Sequence, residues 1–188
     1  MDTKYLESVK KQFIYYKSLG EKTFDQIPEE ALFWQYNPES NSIAVIVKHI
    51  WGNMLSRWTD FLGGDGEKDF RDRDGEFEAT ITTKAELLEK WEAGWQCLFD
   101  AIDPLTDNHL AQTIYIRNMG HTVTEAINRQ LAHYAYHIGQ IVFIGRMAAG
   151  ENWQSLSIPK GRSKEYNQQK FAQPKRIQHF TDEFIDEQ

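Results

Sequence analysis

The sequence predicts an all-α protein in which four long helices form a four-helix bundle. Apolar residues recur every three or four positions in four separate stretches, and a glycine or proline ends each stretch. Capping-box patterns introduce the third and fourth stretches. Helices with apolar stripes bury them against one another, and 188 residues are enough for one domain with a sizeable core.

Apolar periodicity defines the first two helices. The first covers residues 6–27, and Pro28 stops it because proline disfavours the helical state of the preceding residue. The second begins at the Asn-Ser pair 41–42, where both residues are good N-caps, and is expected to end at the glycine pair 63–64. Its apolar stripe consists of Ile43, Ile46, Val47, Ile50, Met54, Trp58 and Phe61.

The connection between the second and third helices is long and charged. Residues 63–80 read GGDGEKDFRDRDGEFEAT, and their glycines and mixed charges predict an exposed, mobile loop. A capping box, TKAE at 83–86, then starts the third helix, which Pro104 closes.

A small hairpin is predicted before the fourth helix. TIYIR at 113–117 alternates like a strand, and NMGH at 118–121 has the composition of a turn. Thr122 and Glu125 form a second capping box, from which the fourth helix runs to about Ala149. The domain is predicted to span residues 1–171, followed by a C-terminal tail, 172–188, that is frayed or weakly helical.

Charge and cysteine content restrict the partners and the compartment. The formal net charge is -7, so an acidic surface should repel nucleic acid and anionic membranes. The single cysteine, Cys97, excludes an intrachain disulfide and favours a reducing compartment. The N-terminus lacks the apolar stretch of a signal peptide, and no run reaches the length of a membrane helix. These features predict a soluble cytoplasmic protein with a small-molecule partner.

The fourth helix carries a seam of uncharged hydrogen-bonding groups within an apolar segment. His133 and His137 are four residues apart and share one helical face with Gln130 and Gln140. Buried polar groups need partners, and a metal ion is a partner that two adjacent imidazoles can share. Histidines satisfied by ordinary hydrogen bonds in the core are the alternative.

A third ligand is available on the second helix. His49 lies on the flank of the apolar stripe, and Asn53 follows one turn later on the same side. Three neutral histidines would bind Zn²⁺, Ni²⁺, Fe²⁺ or Mn²⁺ and leave positions open for water or substrate. The sequence does not distinguish among these metals.

Three segments together resemble a known family. NSIAVIVKHIWGN at 41–53, AINRQLAHYAYHIGQIVFIGR at 126–146 and LSIPKGRSKEYN at 156–167 resemble the DinB superfamily of bacterial four-helix proteins, in a branch without assigned function. The resemblance covers the chain to about residue 171. It implies an up-down-down-up bundle, often dimeric, with a metal held by three histidines, which are His49, His133 and His137 here.

Characterised members of that superfamily suggest a chemistry. They include bacillithiol transferases and a mycothiol-dependent maleylpyruvate isomerase, in which the metal is thought to activate a low-molecular-weight thiol. The first hypothesis is therefore a metal-dependent thiol S-transferase, with metal-dependent hydrolysis as a variant. A non-enzymatic metal-binding or small-ligand-binding stress-response protein is the second, and a purely structural homodimer with buried histidines is the third.

Other residues receive secondary roles. Candidates for contacts to substrate or to the metal ligands are Asn53, Arg129, Gln130 and Gln140. No catalytic residue of the chain itself is assigned, because Cys97 lies in WQCLF of the third helix, where packing is the expected role. The stretch of the fourth helix from Gln130 to Gly145 carries no charged residue, which favours a homodimer, since a lone bundle normally leaves one face of each helix charged.

Overall fold

The computed structural model describes residues 4–185, and within this range the chain is mostly helical with one two-stranded sheet. The elements are α1 (Tyr5–Phe24), α2 (Ile43–Trp58), α3 (Lys84–Ile102), β1 (Thr113–Ile116), β2 (Met119–Thr122), α4 (Val123–Ala149), α5 (Ser163–Phe171) and α6 (Asp182–Ile185). None of the helices in the described range is long and apolar enough to cross a membrane.

The four long helices contact one another around one apolar core. α2 packs on α3 and on α4, and α1 packs on α4 and on α3. Large aromatic side chains fill the centre, and their rings meet edge-on or tilted, an arrangement that aromatic pairs favour. The five largest contributors are Phe13, Trp58, Trp91, Trp95 and Tyr134.

Side-chain caps fix the starts of three helices, and of the two predicted capping boxes the one at 83–86 forms only through Thr83. The hydroxyl of Ser42 caps α2, and that of Thr83 caps α3 by accepting from the backbone N–H of Glu86 at 3.2 Å. At α4 the capping box is complete: Glu125 N–H donates to Thr122 Oγ1 at 3.1 Å, and Thr122 N–H donates to the Glu125 carboxylate at 2.7 Å. These bonds satisfy N–H groups that a helix start leaves without partners.

Three predicted boundaries are wrong: α1 ends at Phe24 rather than at residue 27, and at the other two places the backbone turns left-handed. α2 ends at Trp58 rather than at the glycine pair 63–64, because Asp60 takes a positive φ of 49°. The hairpin is confirmed, but its turn lies earlier than predicted, at Arg117 and Asn118, with φ of 56° and 61°. Two consecutive positive φ values are the geometry of tight two-residue hairpins.

The 63–80 connection is not an exposed loop throughout, which corrects the prediction for it. A 3-10 turn at Gly75–Phe77 carries Glu76 into the interior, where only 4% of this residue is exposed. Lys48 of α2 holds the segment by donating to the Glu78 carbonyl at 3.2 Å and to Thr80 Oγ1 at 2.7 Å. Glu76 therefore pairs with Arg71 away from solvent, whereas most other charged residues of the connection are exposed as predicted, namely Asp69, Asp72, Arg73, Asp74 and Glu78.

The C-terminal residues dock on α1. Lys11 forms an ion pair with Asp182 at 2.8 Å, and Ser8 Oγ lies 2.9 Å from His179 Nε2. The rings of Phe180 and Phe184 both pack against Tyr15. Of the two predicted alternatives for the tail, fraying is wrong for residues 179–185, and the short helix α6 agrees with a weakly helical end. Residues 186–188 lie outside the described range. The domain boundary after residue 171 stays a prediction.

Candidate metal centre

Two helices bring three imidazoles together at one point. His133 and His137 lie one turn apart on α4, and His49 projects from the middle of α2, which packs against α4. His133 Nε2 lies 3.3 Å from His49 Nε2 and 3.1 Å from His137 Nε2. One ligand atom from each of the three residues falls within 4.8 Å of the others, so the cluster could hold a metal ion. All three histidines predicted as ligands are thus in one place.

The spacing of these nitrogens fits a shared cation. Nitrogens bound to a tetrahedral zinc ion at 2.0–2.1 Å lie about 3.3 Å apart, and octahedral geometry brings them to about 3.0 Å. The two separations around His133, 3.1 Å and 3.3 Å, span this interval. The ligand atoms of all three residues lie within 4.8 Å of one another, so one ion could bind them together.

Hydrogen bonds on the far side of two rings set which nitrogens face the centre. Nδ1 of His49 lies 2.8 Å from the Glu76 carboxylate, and Nδ1 of His137 lies 2.8 Å from Gln140 Oε1. A neutral imidazole that donates through Nδ1 presents a lone pair at Nε2. His133 Nε2 carries one hydrogen at most, so it can match only one of these two lone pairs. A cation at the centre would accept one lone pair from each of the three histidines.

The environment keeps His133 and His137 neutral. Burial, reinforced by the charges of the neighbouring histidines, Arg71 and Arg57, lowers the pKa of His133 to about 3. Burial also lowers the pKa of His137, against an opposing hydrogen bond to Gln140. Neutral imidazole is the form that binds metal, so these two ligands need not lose a proton near pH 7.

A buried carboxylate from the 63–80 connection supports His49. Glu76 accepts from Arg71 at both oxygens, with Nε to Oε1 at 2.7 Å and Nη2 to Oε2 at 3.0 Å. Burial raises the pKa of Glu76, but the hydrogen bonds from His49 and Arg71 outweigh it and leave the pKa below its usual value. The carboxylate is therefore ionised beside His49.

The cluster is open on one side. His49 is buried, whereas His133 and His137 are partly exposed. Phe77 stacks on the His49 ring with centroids 4.8 Å apart, and Tyr136 meets the His137 ring edge-on at 5.0 Å. Phe77 is 46% exposed and Tyr136 is 63% exposed. A small molecule could reach the imidazoles past this aromatic rim.

A comparison with protein families places the chain. The family model DUF1572, described as a protein of unknown function, matches residues 1–162. The chain belongs to the DUF1572 family. DUF1572 is related to DinB-like families, in keeping with the resemblance seen in the sequence, although the match itself does not name the DinB superfamily. No curated protein matches the chain.

The DUF1572 match contains the whole histidine cluster. His49, Glu76, His133 and His137 all lie within residues 1–162, while α5 and α6 lie beyond them. The candidate metal centre thus belongs to the part of the chain that the family defines, and the docked C-terminal helices do not.

Of the other predicted site residues, one contacts the cluster. Gln140 bonds His137, as described above. Asn53 instead accepts from the Tyr134 hydroxyl at 3.0 Å, inside the core. Gln130 is buried, and its Oε1 has no hydrogen-bond partner among the described residues. Arg129 lies on the surface, with Nη1 3.3 Å from His121 Nε2.

Sequence reasoning missed Glu76 and Arg71. Both lie in the connection whose composition indicated an exposed loop. The available signal was Gly52, a helix-weakening residue in the middle of α2 and one turn from His49. An ideal Cβ at Gly52 would lie 2.5 Å from Glu76 Oε1, so glycine makes room for the carboxylate.

Proposed function

We propose that this protein is a metal-dependent enzyme, a thiol S-transferase in which His49, His133 and His137 hold a divalent transition metal. The observation that carries the proposal is the convergence of three imidazoles on a partly exposed site, where His133 Nε2 lies 3.3 Å from His49 Nε2 and 3.1 Å from His137 Nε2. A structural metal site is usually closed by four protein ligands, whereas three leave a coordination position for a reactant. Zn²⁺, Ni²⁺, Fe²⁺ and Mn²⁺ all suit three imidazoles.

In this proposal the chain's own residues bind and orient the metal, and none of them reacts with the substrate. When bound, a divalent cation lowers the pKa of a low-molecular-weight thiol, so that the thiolate forms near neutral pH. His133 and His137 are already neutral, Gln140 orients His137, and the ionised Glu76 orients His49. The exposed rings of Phe77 and Tyr136 offer an apolar surface to an electrophile at the mouth of the site.

Thiol transfer is favoured over hydrolysis by the state of Glu76. A hydrolase would need a general base that can reach a water molecule in the open site. Both oxygens of Glu76 already accept hydrogen bonds from Arg71 and His49, and the residue is buried behind His49. A thiol starts from a pKa of about 8.5, far below that of water, so once a cation lowers it further the thiol proton would pass to solvent without a protein base.

Cys97 is not the thiol in this proposal. It lies on α3, and its Sγ contacts the Met54 carbonyl at 3.9 Å and Thr59 Oγ1 at 3.7 Å. Burial raises the pKa of the Cys97 thiol, against a weaker opposing effect of the Thr59 hydrogen bond. A half-buried thiol of raised pKa is a poor nucleophile.

The test is turnover of a thiol with an electrophile by metal-loaded protein. Low-molecular-weight thiols such as bacillithiol, glutathione and cysteine would be paired with a chromogenic aromatic electrophile, and thioether formation followed by absorbance and mass spectrometry. We expect turnover that His133→Ala abolishes and Cys97→Ala leaves unchanged. Stoichiometric metal binding without turnover on any pair would instead support the non-enzymatic metal-binding protein.

We further infer the DinB-type arrangement, an up-down-down-up bundle, and a homodimer formed through α4. The outward face of α4 alternates small and large uncharged residues in the order Ala132, Tyr136, Gly139 and Phe143, all of them exposed. No atom of the described residues lies within 4 Å of a Cβ at Gly139, so an aromatic ring of a second copy would fit there. Phe143→Glu should convert the dimer to a monomer in analytical ultracentrifugation, and a wild-type monomer would refute the inference.

The cytoplasmic location remains a proposal that rests on cysteine content.

A further inference from the structure

The buried ion pair of Glu76 with Arg71 is unusual for a surface connection. The Arg71 side chain is 2% exposed and the Glu76 side chain 5% exposed, and they share two hydrogen bonds. Removing two charges from water costs several kcal/mol per ion, and replacement by apolar residues is often neutral or stabilising. Stability alone therefore gives a weak reason for this pair to lie against α2.

The contact to His49 gives a second reason. Glu76 Oε2 lies 2.8 Å from Nδ1, on the side of the ring opposite to Nε2, which faces the other two histidines. A carboxylate there keeps the hydrogen on Nδ1, fixes the ring orientation and makes Nε2 a more basic ligand. Gly52 allows this approach, since any Cβ at that position would overlap the carboxylate.

We propose that Glu76 is a positioning residue for His49, held in place by Arg71, and that metal binding in turn holds the 70–78 segment against α2. The proposal rests on the proposed function, because it assumes that the three histidines bind a metal. Coupling is reciprocal: if an ordered Glu76 raises metal affinity, bound metal must stabilise the ordered segment by the same free energy.

A purely structural ion pair makes a different prediction. In that case the loss of Glu76 would lower the unfolding free energy of the metal-free protein and leave the metal affinity of the folded protein unchanged. If Glu76 positions His49, its loss should instead lower the metal affinity of the folded protein. That fall should be larger than any loss of stability in the metal-free protein can explain.

The experiment measures Zn²⁺ affinity by competition with a chromogenic chelator, on full-length, tag-free protein. Glu76→Gln keeps the size of the side chain and removes the charge, and we expect it to weaken Zn²⁺ binding about 10-fold to 100-fold. Gly52→Ala leaves Glu76 in the chain but displaces its carboxylate, and it should weaken binding in the same direction. Glu78→Gln, an exposed neighbour in the same segment, is the matched control and should bind as wild type does.

Hydrogen exchange provides the second readout. Adding Zn²⁺ to wild type should slow amide exchange in residues 70–78, and in Glu76→Gln that protection should be lost while protection at His133 and His137 persists. If Glu76→Gln fails to fold, which circular dichroism would reveal, Gly52→Ala gives the affinity comparison.

The outcomes separate this inference from the proposed function. Wild-type protein that binds no Zn²⁺ would overturn both. Wild-type protein that binds Zn²⁺, with folded Glu76→Gln and Gly52→Ala binding it equally tightly, would overturn only the role of Glu76.

Discussion

Two polar networks join α2 to α4, and they differ in whether their hydrogen-bonding atoms are matched. In one, Trp58 Nε1–H donates to the Tyr134 hydroxyl at 2.9 Å, which donates to Asn53 Oδ1 at 3.0 Å. In the other, the Nε2 atoms of His49 and His137 both face His133 Nε2. The networks are neighbours, since Asn53 follows His49 by one turn and Tyr134 directly follows His133.

The difference separates a structural network from a candidate metal site. The Trp58–Tyr134–Asn53 network is buried, with each donor matched to an acceptor, so it holds the helices together without any further group. The histidine cluster is partly exposed, has more lone pairs than hydrogens at its centre and is supported from behind by a buried carboxylate. Residues that are neighbours in sequence, such as His133 and Tyr134, therefore belong to networks with different roles, and a mutation in one network should leave the other intact.

The largest expected effect is stabilisation by metal, and it should depend on the histidine cluster alone. Zn²⁺ at about 100 times its dissociation constant should stabilise the folded protein by about 2.7 kcal/mol, or roughly 5–10 °C in thermal unfolding. His133→Ala should remove this gain, and Tyr134→Phe should keep it. An equal gain in His133→Ala would place the metal elsewhere.

The next effect is the cost of breaking the matched network. Tyr134→Phe leaves the Trp58 N–H and the Asn53 carbonyl buried without partners, so the unfolding free energy should fall by about 2 kcal/mol. Urea denaturation in the presence of EDTA would measure it. Tyr136→Phe, the same change at an exposed position of α4, is the control and should cost less than about 0.5 kcal/mol.

Both networks show what the sequence could and could not predict. Helical periodicity and caps located the four long helices, and the four-residue spacing of His133 and His137 placed them on one face. Such local patterns do not reveal how the helices pack against one another or which charged residues pair. Asn53 was expected near the metal because it shares a helical face with His49, but its Oδ1 accepts a hydrogen bond from the Tyr134 hydroxyl instead.

The 63–80 connection was harder because its folding depends on non-local partners. Its charges suggested solvent exposure, yet Glu76 is buried because His49 and Arg71 compensate its charge and Gly52 leaves space for it. The early end of α2 likewise follows from a left-handed Asp60, which periodicity does not reveal.

A smaller effect concerns pH and again belongs to the histidine cluster. Burial and neighbouring charges lower the pKa of His133 to about 3, whereas an unfolded histidine titrates near about 6.5. Between these values the unfolded chain binds more protons, so the stability of metal-free protein should fall as the pH drops from about 6.5 towards 3, by at most about 1.4 kcal/mol per pH unit for this proton. Urea titrations at pH 7.5 and 5 should show a shallower dependence in His133→Ala, and an identical slope would contradict the account.

The smallest effect is expected at Cys97, outside both networks. Its contacts are weak and the side chain is half-buried, so Cys97→Ala should change the unfolding free energy by less than about 1 kcal/mol. Metal-induced stabilisation should be unchanged. A loss of that stabilisation would show that the thiol takes part in metal binding.

The most direct test of the central claim is the metal content of purified protein. Wild type, His133→Ala and Tyr134→Phe, without affinity tags or added metal, would be analysed by inductively coupled plasma mass spectrometry. The account predicts about one transition metal per chain in wild type and Tyr134→Phe, and none in His133→Ala. Metal-free wild type that also fails to bind added Zn²⁺ or Ni²⁺ after dialysis would contradict it, and the three histidines would then be hydrogen-bonded core residues.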